Sequence, residues 1–199
     1  MRTSLPCLAF ALLAVSSTAS AQPAISRNPA AAAAGVYALD KSHGSLTLKL
    51  SHMGLSGYTM RFDGLDGGYS YDPANPARSQ IQFNVDPRSI DTGDPKFNAE
   101  IADQFLDAGK YPQIVFVSTR IEPGDGVHGR VFGNLTFHGV TRPVVMNVTF
   151  NGSGKGMRGE PRMGFSGSTV IRRSEFGATK YVPLVGDDVT VLLEAEFRK

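Results

Sequence analysis

The chain holds 199 residues in which 20 Lys and Arg face 18 Asp and Glu, a formal charge of +2, with no Trp and a single Cys. So even a balance gives no electrostatic case for nucleic acid as a partner. About 165 ordered residues are expected, enough for one domain to bury a core without disulfide staples, and beyond the first 21 residues no apolar run approaches the ~20 needed for a helix to span a bilayer.

The N-terminal stretch MRTSLPCLAFALLAVSSTASA carries one charge, Arg2, a largely apolar run from Leu5 to Val15 and a small-residue cleavage site at Ala19-Ser20-Ala21. This pattern predicts a secretory signal peptide over residues 1–21, with the mature chain starting at about Gln22. Cys7 lies inside it, too early and behind Pro6 rather than the small residue that precedes a lipidated cysteine, so the exported protein has no cysteine at all. Loss of Arg2 lowers the formal charge from +2 to +1. Residues 22–35, with five alanines from Ala30 to Ala34, show no periodic apolar face and read as a flexible tether to a domain over 36–199.

From Val36 onward strands dominate. Leu46, Leu48 and Leu50 alternate with polar residues, Met60, Phe62 and Leu65 follow, and Ile81, Phe83 and Val85 alternate with Gln80, Gln82 and Asn84. One stretch breaks this period. Asp94-Pro95 has the chemistry of a cap with proline at the first helical position, and Phe97, Ile101 and Phe105 then recur every four residues until Gly109 and Pro112. A single amphipathic helix is expected there, packed over an opening or along a barrel wall. Strands resume over 114–121, 127–137, 144–150, 163–171 and 189–197, with Gly124-Asp125-Gly126 and Asn151-Gly152-Ser153-Gly154 read as turns. Within GNLTFHGVTRPVVMNVTF, residues 133–150, His138 to Pro143 is expected to connect two half-buried antiparallel strands. About eight strands at this spacing favour an antiparallel barrel or sandwich.

Several stretches in fixed order resemble the YceI family of exported, lipocalin-like proteins: LDKSHGSLTLKLSHM (39–53), SIDT (89–92), FLDAGKYPQIVFVST (105–119), GNLTFHGVTRP (133–143), GFSGSTVIRRSEFG (164–177) and VGDDVTVLLEAE (185–196). The resemblance implies an extended eight-stranded antiparallel barrel with one helix. It also implies a long apolar pore that binds a polyisoprenoid or a similar lipid such as a fatty amide, and a bacterial periplasmic location. Two positions depart from the family pattern. Phe105-Leu106 stands where a Phe-Phe pair is usual, which bears on pore width, and Arg172-Arg173-Ser174 stands where Asn often precedes Arg-Ser, which bears on the head-group end. The missing Trp removes the Gly-x-Trp signature of classical lipocalins.

Parity places Leu48, Phe62, Phe83, Phe105, Phe116, Phe137, Met146, Val148 and Phe165 on the greasy side of their segments, as candidate lining for a lipid. A small barrel also fills its interior with its own side chains, so a solid core, and with it a plain envelope-stress scaffold, is the competing expectation. Twelve Phe and six Met suit a surface that accommodates a varied chain. His52, His138, Arg172 and Arg173 are candidate head-group contacts, Lys180 a further cation for an anionic head group.

No metal site is expected: the chain has four histidines, and His128 and His138, ten apart on one strand, would stand about 33 Å from each other. No Gly-x-Ser-x-Gly elbow occurs, Gly164-Phe165-Ser166-Gly167 lacking the spacing, and Asn134 and Asn147 match glycosylation sequons only by chance within strands. The reading is thus a non-enzymatic, exported carrier of a long isoprenoid lipid or quinone, with no resident cofactor, transient membrane or membrane-protein contact and a homodimer left open. Its rival is an enzyme on bound lipid that uses His52, His138 or Asp187 as acid or base, which requires those groups to converge at the pore.

Overall fold

A computed structural model describes residues 24–199. Eleven strand segments form one continuous antiparallel sheet: β1 (Gly35–Leu39), β2 (Ser45–His52), β3 (Ser56–Phe62), β4 (Leu65–Tyr71), β5 (Gln80–Val85), β6 (Ile90–Asp91), β7 (Ile114–Glu122), β8 (His128–Phe137), β9 (Val140–Lys155), β10 (Pro161–Arg172) and β11 (Asp188–Arg198). The ring closes because β1 pairs with both β4 and β11, giving an eight-membered barrel in the order β1-β4-β5-β7-β8-β9-β10-β11. The remaining three segments are continuations. β2, β3 and β6 carry the lines of β1, β4 and β5 onward, with β2 on β11, β3 on β2 and β6 on β3. The expected eight strands are therefore present, three of them creased.

The crease is made by polar residues. Each break opens on an aspartate, Asp40, Asp63 or Asp86; Asp63 N donates to Ser89 O (3.0 Å) and Asp86 N to Gly64 O (2.9 Å), which sets the second and third breaks side by side, while Asp40 N donates to Glu196 O (2.8 Å) of β11. Asp40 is 5% exposed and meets Arg162 at 2.8 Å, while Arg162 also reaches Glu160 (2.8 Å) and Glu196 (3.0 Å). His43 stands 3.1 Å from Asp40. The hydrogen bond from His43 and then that from Arg162 hold the Asp40 carboxyl below its ordinary value against the opposing effect of burial.

Beyond the crease the wall parts in two places, and each gap is filled from the sequence that follows. No pairing joins β6 to β7, and the chain lays a helix there: α1 (Pro95–Glu100), capped by Asp94, whose carboxylate accepts from the backbone N–H of Lys96 (2.9 Å) and Phe97. The predicted regular helix ends early, because residues Ile101–Phe105 widen into a π turn in which Ile101 and Ala102 are buried. The wider turn still brings Phe97, Ile101 and Phe105 to the interior. On the other side β9 and β10 pair only as far as Asn147–Ser168, and Phe176 wedges into the splay against Phe137, Ile171 and Ala178.

Three local expectations are corrected. The β8–β9 connection is two residues long, His138-Gly139, with φ of 50° and 74°, because Phe137 pairs directly with Val140; such a turn matches the twist of the strands it joins. Pro143 lies within β9, where β10 no longer pairs and its missing N–H leaves no ladder bond unmade. Asn151-Gly152-Ser153-Gly154 is likewise strand, β9 running on to Lys155 past a register shift opposite Gly164/Phe165.

The glycines in that last stretch serve close approach: a Cβ on Gly152 would come within 2.5 Å of Ile25, and one on Gly154 within 2.8 Å. That contact also revises the tether, which is docked on the barrel from Ala24 onward. Ser26 and Ser153 exchange backbone hydrogen bonds of 2.8 Å, Tyr71 Oη donates to Pro29 O (2.7 Å), Tyr37 Oη donates to Ala33 O (2.7 Å), and Ala32 is buried. The expected signal peptide, Gln22 and Pro23 lie outside the described residues.

Candidate functional site

Inward parity along the barrel encloses two apolar cavities stacked along its axis. The larger, about 510 Å³, lies on the crease-and-helix side, walled by β2, β3, α1 and the inward residues of β7–β11. The smaller, about 290 Å³, lies toward the β1 end, under Asn28, Pro29 and Ala30 of the docked N-terminal segment. Phe83, Phe116, Met146 and Leu193 border both, so they form a waist between two chambers. Both volumes fall at or within the range of sites that hold small molecules, roughly 300–1,000 Å³. The interior is therefore not packed solid.

Glycine makes the waist possible. Gly133 and Gly167 occupy inward positions of β8 and β10; the ring of Phe116 lies over the first, and Met146 Sδ would be 2.7 Å from a Cβ on the second. Large side chains thus lie over a glycine of the neighbouring strand, Phe116 of β7 over β8 and Met146 of β9 over β10, where a side chain would block them. Below the waist an aromatic cluster narrows the lower chamber: Phe165 packs edge-on against Tyr69 at 5.4 Å and tilted against Phe150 at 5.4 Å, and Phe197 meets Tyr69 at 5.6 Å. Burial pushes the Tyr69 phenol up to about 12.

All nine candidate lining residues face these chambers. Leu48, Phe62, Phe105 and Phe137 line the upper one, Phe83, Phe116 and Met146 the waist, Val148 and Phe165 the lower one. Sequence reasoning passed over Tyr58, Met60, Ile114, Leu135, Val189 and Val191, which share the same parity and would have followed from extending the alternation along each strand. It also missed the part of Pro29 and Ala30 in covering the lower chamber, for which five alanines in a row gave no signal.

The four head-group candidates separate. His52 borders the upper chamber, its ring 6.3 Å from that of Tyr58. His138 lies outside both chambers in the β8–β9 turn, 4.6 Å from the Tyr111 ring, and exposed Arg172 faces Asp188 at 3.5 Å. Arg173 borders the upper chamber, but the residue is only 7% exposed and its guanidinium is turned into the chain: Nε donates to Gly186 O (2.9 Å), one terminal nitrogen to Ala178 O (2.7 Å) and the other to Val185 O (2.7 Å). Burial lowers its pKa from the ordinary value. It acts as a latch that fixes the loop 177–187 across the end of the barrel. Asp187 accepts from Ser174 N (2.8 Å) and Ser174 Oγ (2.7 Å), and those bonds hold it below the usual carboxylate range. His52 packs beside Tyr58, His138 beside Tyr111, and Asp187 accepts from Ser174; of the three, only His52 borders the upper chamber.

Apart from His52, Glu100, Thr169, Arg173 and the hydroxyls of Tyr58 and Tyr181, the side chains of the described upper wall are aliphatic, aromatic or, at Met60 and Met146, thioether. Fold and lumen together define a small creased lipocalin-like barrel built around an apolar interior space. A family model described as the YceI-like domain matches residues 37–197, and the chain belongs to that family.

The chain is similar to a UPF0312 protein of Pseudomonas fluorescens, 42% identical over 71% of this chain and 75% of the relative. A UPF0312 protein of Vibrio cholerae is 38% identical over 78% and 87%. Among solved structures it resembles Burkholderia cenocepacia BcnA (TM-score 0.71, 28% identity, 79% of this chain and 98% of that one) and the Campylobacter jejuni YceI protein (0.67, 27%, 75% and 89%). A polyisoprenoid binding domain from Saccharophagus degradans shares the fold at a TM-score of 0.61 and 19% identity, over 81% of this chain and 97% of that one.

Proposed function

We propose that this protein is an exported, non-enzymatic carrier or reservoir that holds one long apolar lipid, a polyisoprenoid or an isoprenoid quinone, in the two-chambered lumen. A fatty acid or amide is the alternative cargo. The observation that carries this reading is the waist: two apolar chambers in line suit a chain threaded along the axis better than a compact ligand. At about 30 Å³ per small group, the upper chamber takes roughly seventeen methylene-sized groups and the lower roughly ten.

Energetics favour exchange rather than capture. Withdrawing a methylene from water gains ~0.8 kcal/mol, but the cargo rests in a bilayer, and transfer from one apolar medium to another is close to balance. Such a site can load and unload without a catalytic group. The N-terminal pattern supports export, and a bacterial periplasm is the place of work that this reading takes.

The test is a thermal shift: a long prenyl alcohol at a hundred times its Kd stabilises by ~2.7 kcal/mol, about 5–10 °C in Tm for a domain of this size. No shift with prenyl alcohols, quinones or fatty amides refutes the proposal.

A further inference from the structure

Exposed apolar side chains scattered singly need no explanation, but four of them gather at one place here. Met53, Leu55, Tyr181 and Leu184 are all more than half exposed, Leu55 at 82%. They come from two loops bound to each other: Met53 N donates to Leu184 O (2.7 Å), Gly186 N donates to Ser51 O (2.7 Å), and His52 forms an antiparallel bridge with Val185. The same loops border the upper chamber through His52, Tyr181 and Val185, so the exposed crown and the lumen are one continuous apolar surface. The β2–β3 loop projects freely, since a Cβ on Gly54 would meet nothing within 4 Å.

The exposed part of the crown carries a cation and no carboxylate, Asp187 at the root of its second loop being bound to Ser174. Residues 51–57 and 178–186 contain no Asp or Glu in a chain with 18, and they carry Lys180, whose ammonium lies 4.9 Å from the centre of the Phe105 ring and donates to Gln104 Oε1 (2.5 Å). Across the mouth, Glu100 is the single carboxylate among the described residues that line the upper chamber.

We infer that this crown docks on an anionic phospholipid bilayer, with Met53, Leu55 and Leu184 among the acyl chains and Tyr181 and Lys180 at head-group level. This deepens the lipid-holding reading and rests on it. An amphipathic tyrosine and a lysine with an apolar stem beside protruding aliphatic groups suit the boundary between head groups and hydrocarbon. Seated there, the mouth opens into hydrocarbon, and the cargo passes between bilayer and lumen without crossing water, where every exposed methylene would raise the barrier.

The experiment is sedimentation of the chain from Gln22 onward, which contains every described residue, with vesicles of phosphatidylcholine and phosphatidylglycerol, set beside the double variant Leu55→Glu, Leu184→Glu. The wild type is expected to partition onto the vesicles and the variant at least tenfold more weakly. Both substituted residues are exposed and neither lines the lumen, so the urea midpoint and the affinity for a short fluorescent fatty acid added from solution should be unchanged. A wild type that ignores the vesicles, or a variant that binds them equally, overturns the docking. So does a wild-type dimer in light scattering that the variant dissolves without any vesicle binding, which would give the crown to a second copy. Failure of the fatty acid to bind the wild type in solution, with sedimentation intact, strikes the lipid-holding reading and leaves the docking standing.

Discussion

Met146→Trp tests whether the waist connects two halves of one binding site. Met146 borders both chambers and lies over Gly167, so an indole there closes the passage without touching either end. The lower chamber, about 290 Å³, takes roughly ten methylene-sized groups. At ~0.8 kcal/mol each, excluding a chain from it forfeits up to ~8 kcal/mol relative to water, and a third of that is already about a hundredfold in affinity. A twelve-carbon chain fits within the upper chamber's capacity of roughly seventeen groups and loses little.

The assay is competition against a fluorescent apolar probe with chains of increasing length. For the wild type, affinity should rise with length beyond the point where the variant reaches a plateau. Overpacking the core costs about 1–3 kcal/mol, read from the urea midpoint, and Gly167→Leu should reproduce the plateau from the neighbouring strand. Equal losses for short and long chains, or no loss for either, would refute a threaded, two-chamber site.

Three further outcomes follow from the geometry. Arg173→Met removes three charge-assisted bonds to the carbonyls of Ala178, Val185 and Gly186 and should cost about 3 kcal/mol, with hydrogen exchange accelerated first in residues 177–187. Gly139→Ala forces an L side chain to φ of 74° against the Tyr111 ring and should cost about 1–3 kcal/mol in urea unfolding, leaving lipid affinity unchanged because the turn lies outside the lumen. The Asp40 carboxyl is held below its ordinary 3.8, so its contribution is full above that value and is lost as pH falls through the lower folded value. The urea midpoint should therefore drop more steeply between about pH 5 and pH 3 in the wild type than in Asp40→Asn, and parallel curves would contradict the role given to the Arg162 cluster.

The alternation of Leu46, Leu48 and Leu50, of Phe83 and Val85, and of Val189 to Phe197 made the barrel legible, because a half-buried strand repeats every two residues whatever lies beyond it. The inward parity of eight of the nine candidate residues was legible for the same reason, and Phe105 from the four-residue recurrence with Phe97 and Ile101. The crease was not: Asp40, Asp63 and Asp86 look like ordinary loop residues until their backbone N–H groups are seen to bond the strands beside them.

Asn151 to Gly154 read as a turn because glycine signals turns in the absence of a partner, and only the approach of Ile25 shows why small residues belong in a strand there. The waist was hidden for a related reason, since an inward Gly133 or Gly167 has no side chain to announce its face. Arg173 looked like a ligand contact because sequence shows a cation but not which carbonyls will surround it.

The most direct measurement is mass spectrometry of the protein purified gently from its native compartment and then extracted with organic solvent. A long apolar lipid near one per chain is the predicted result. Protein that emerges empty, and whose Tm is unmoved by any added isoprenoid or fatty chain, would contradict the central claim.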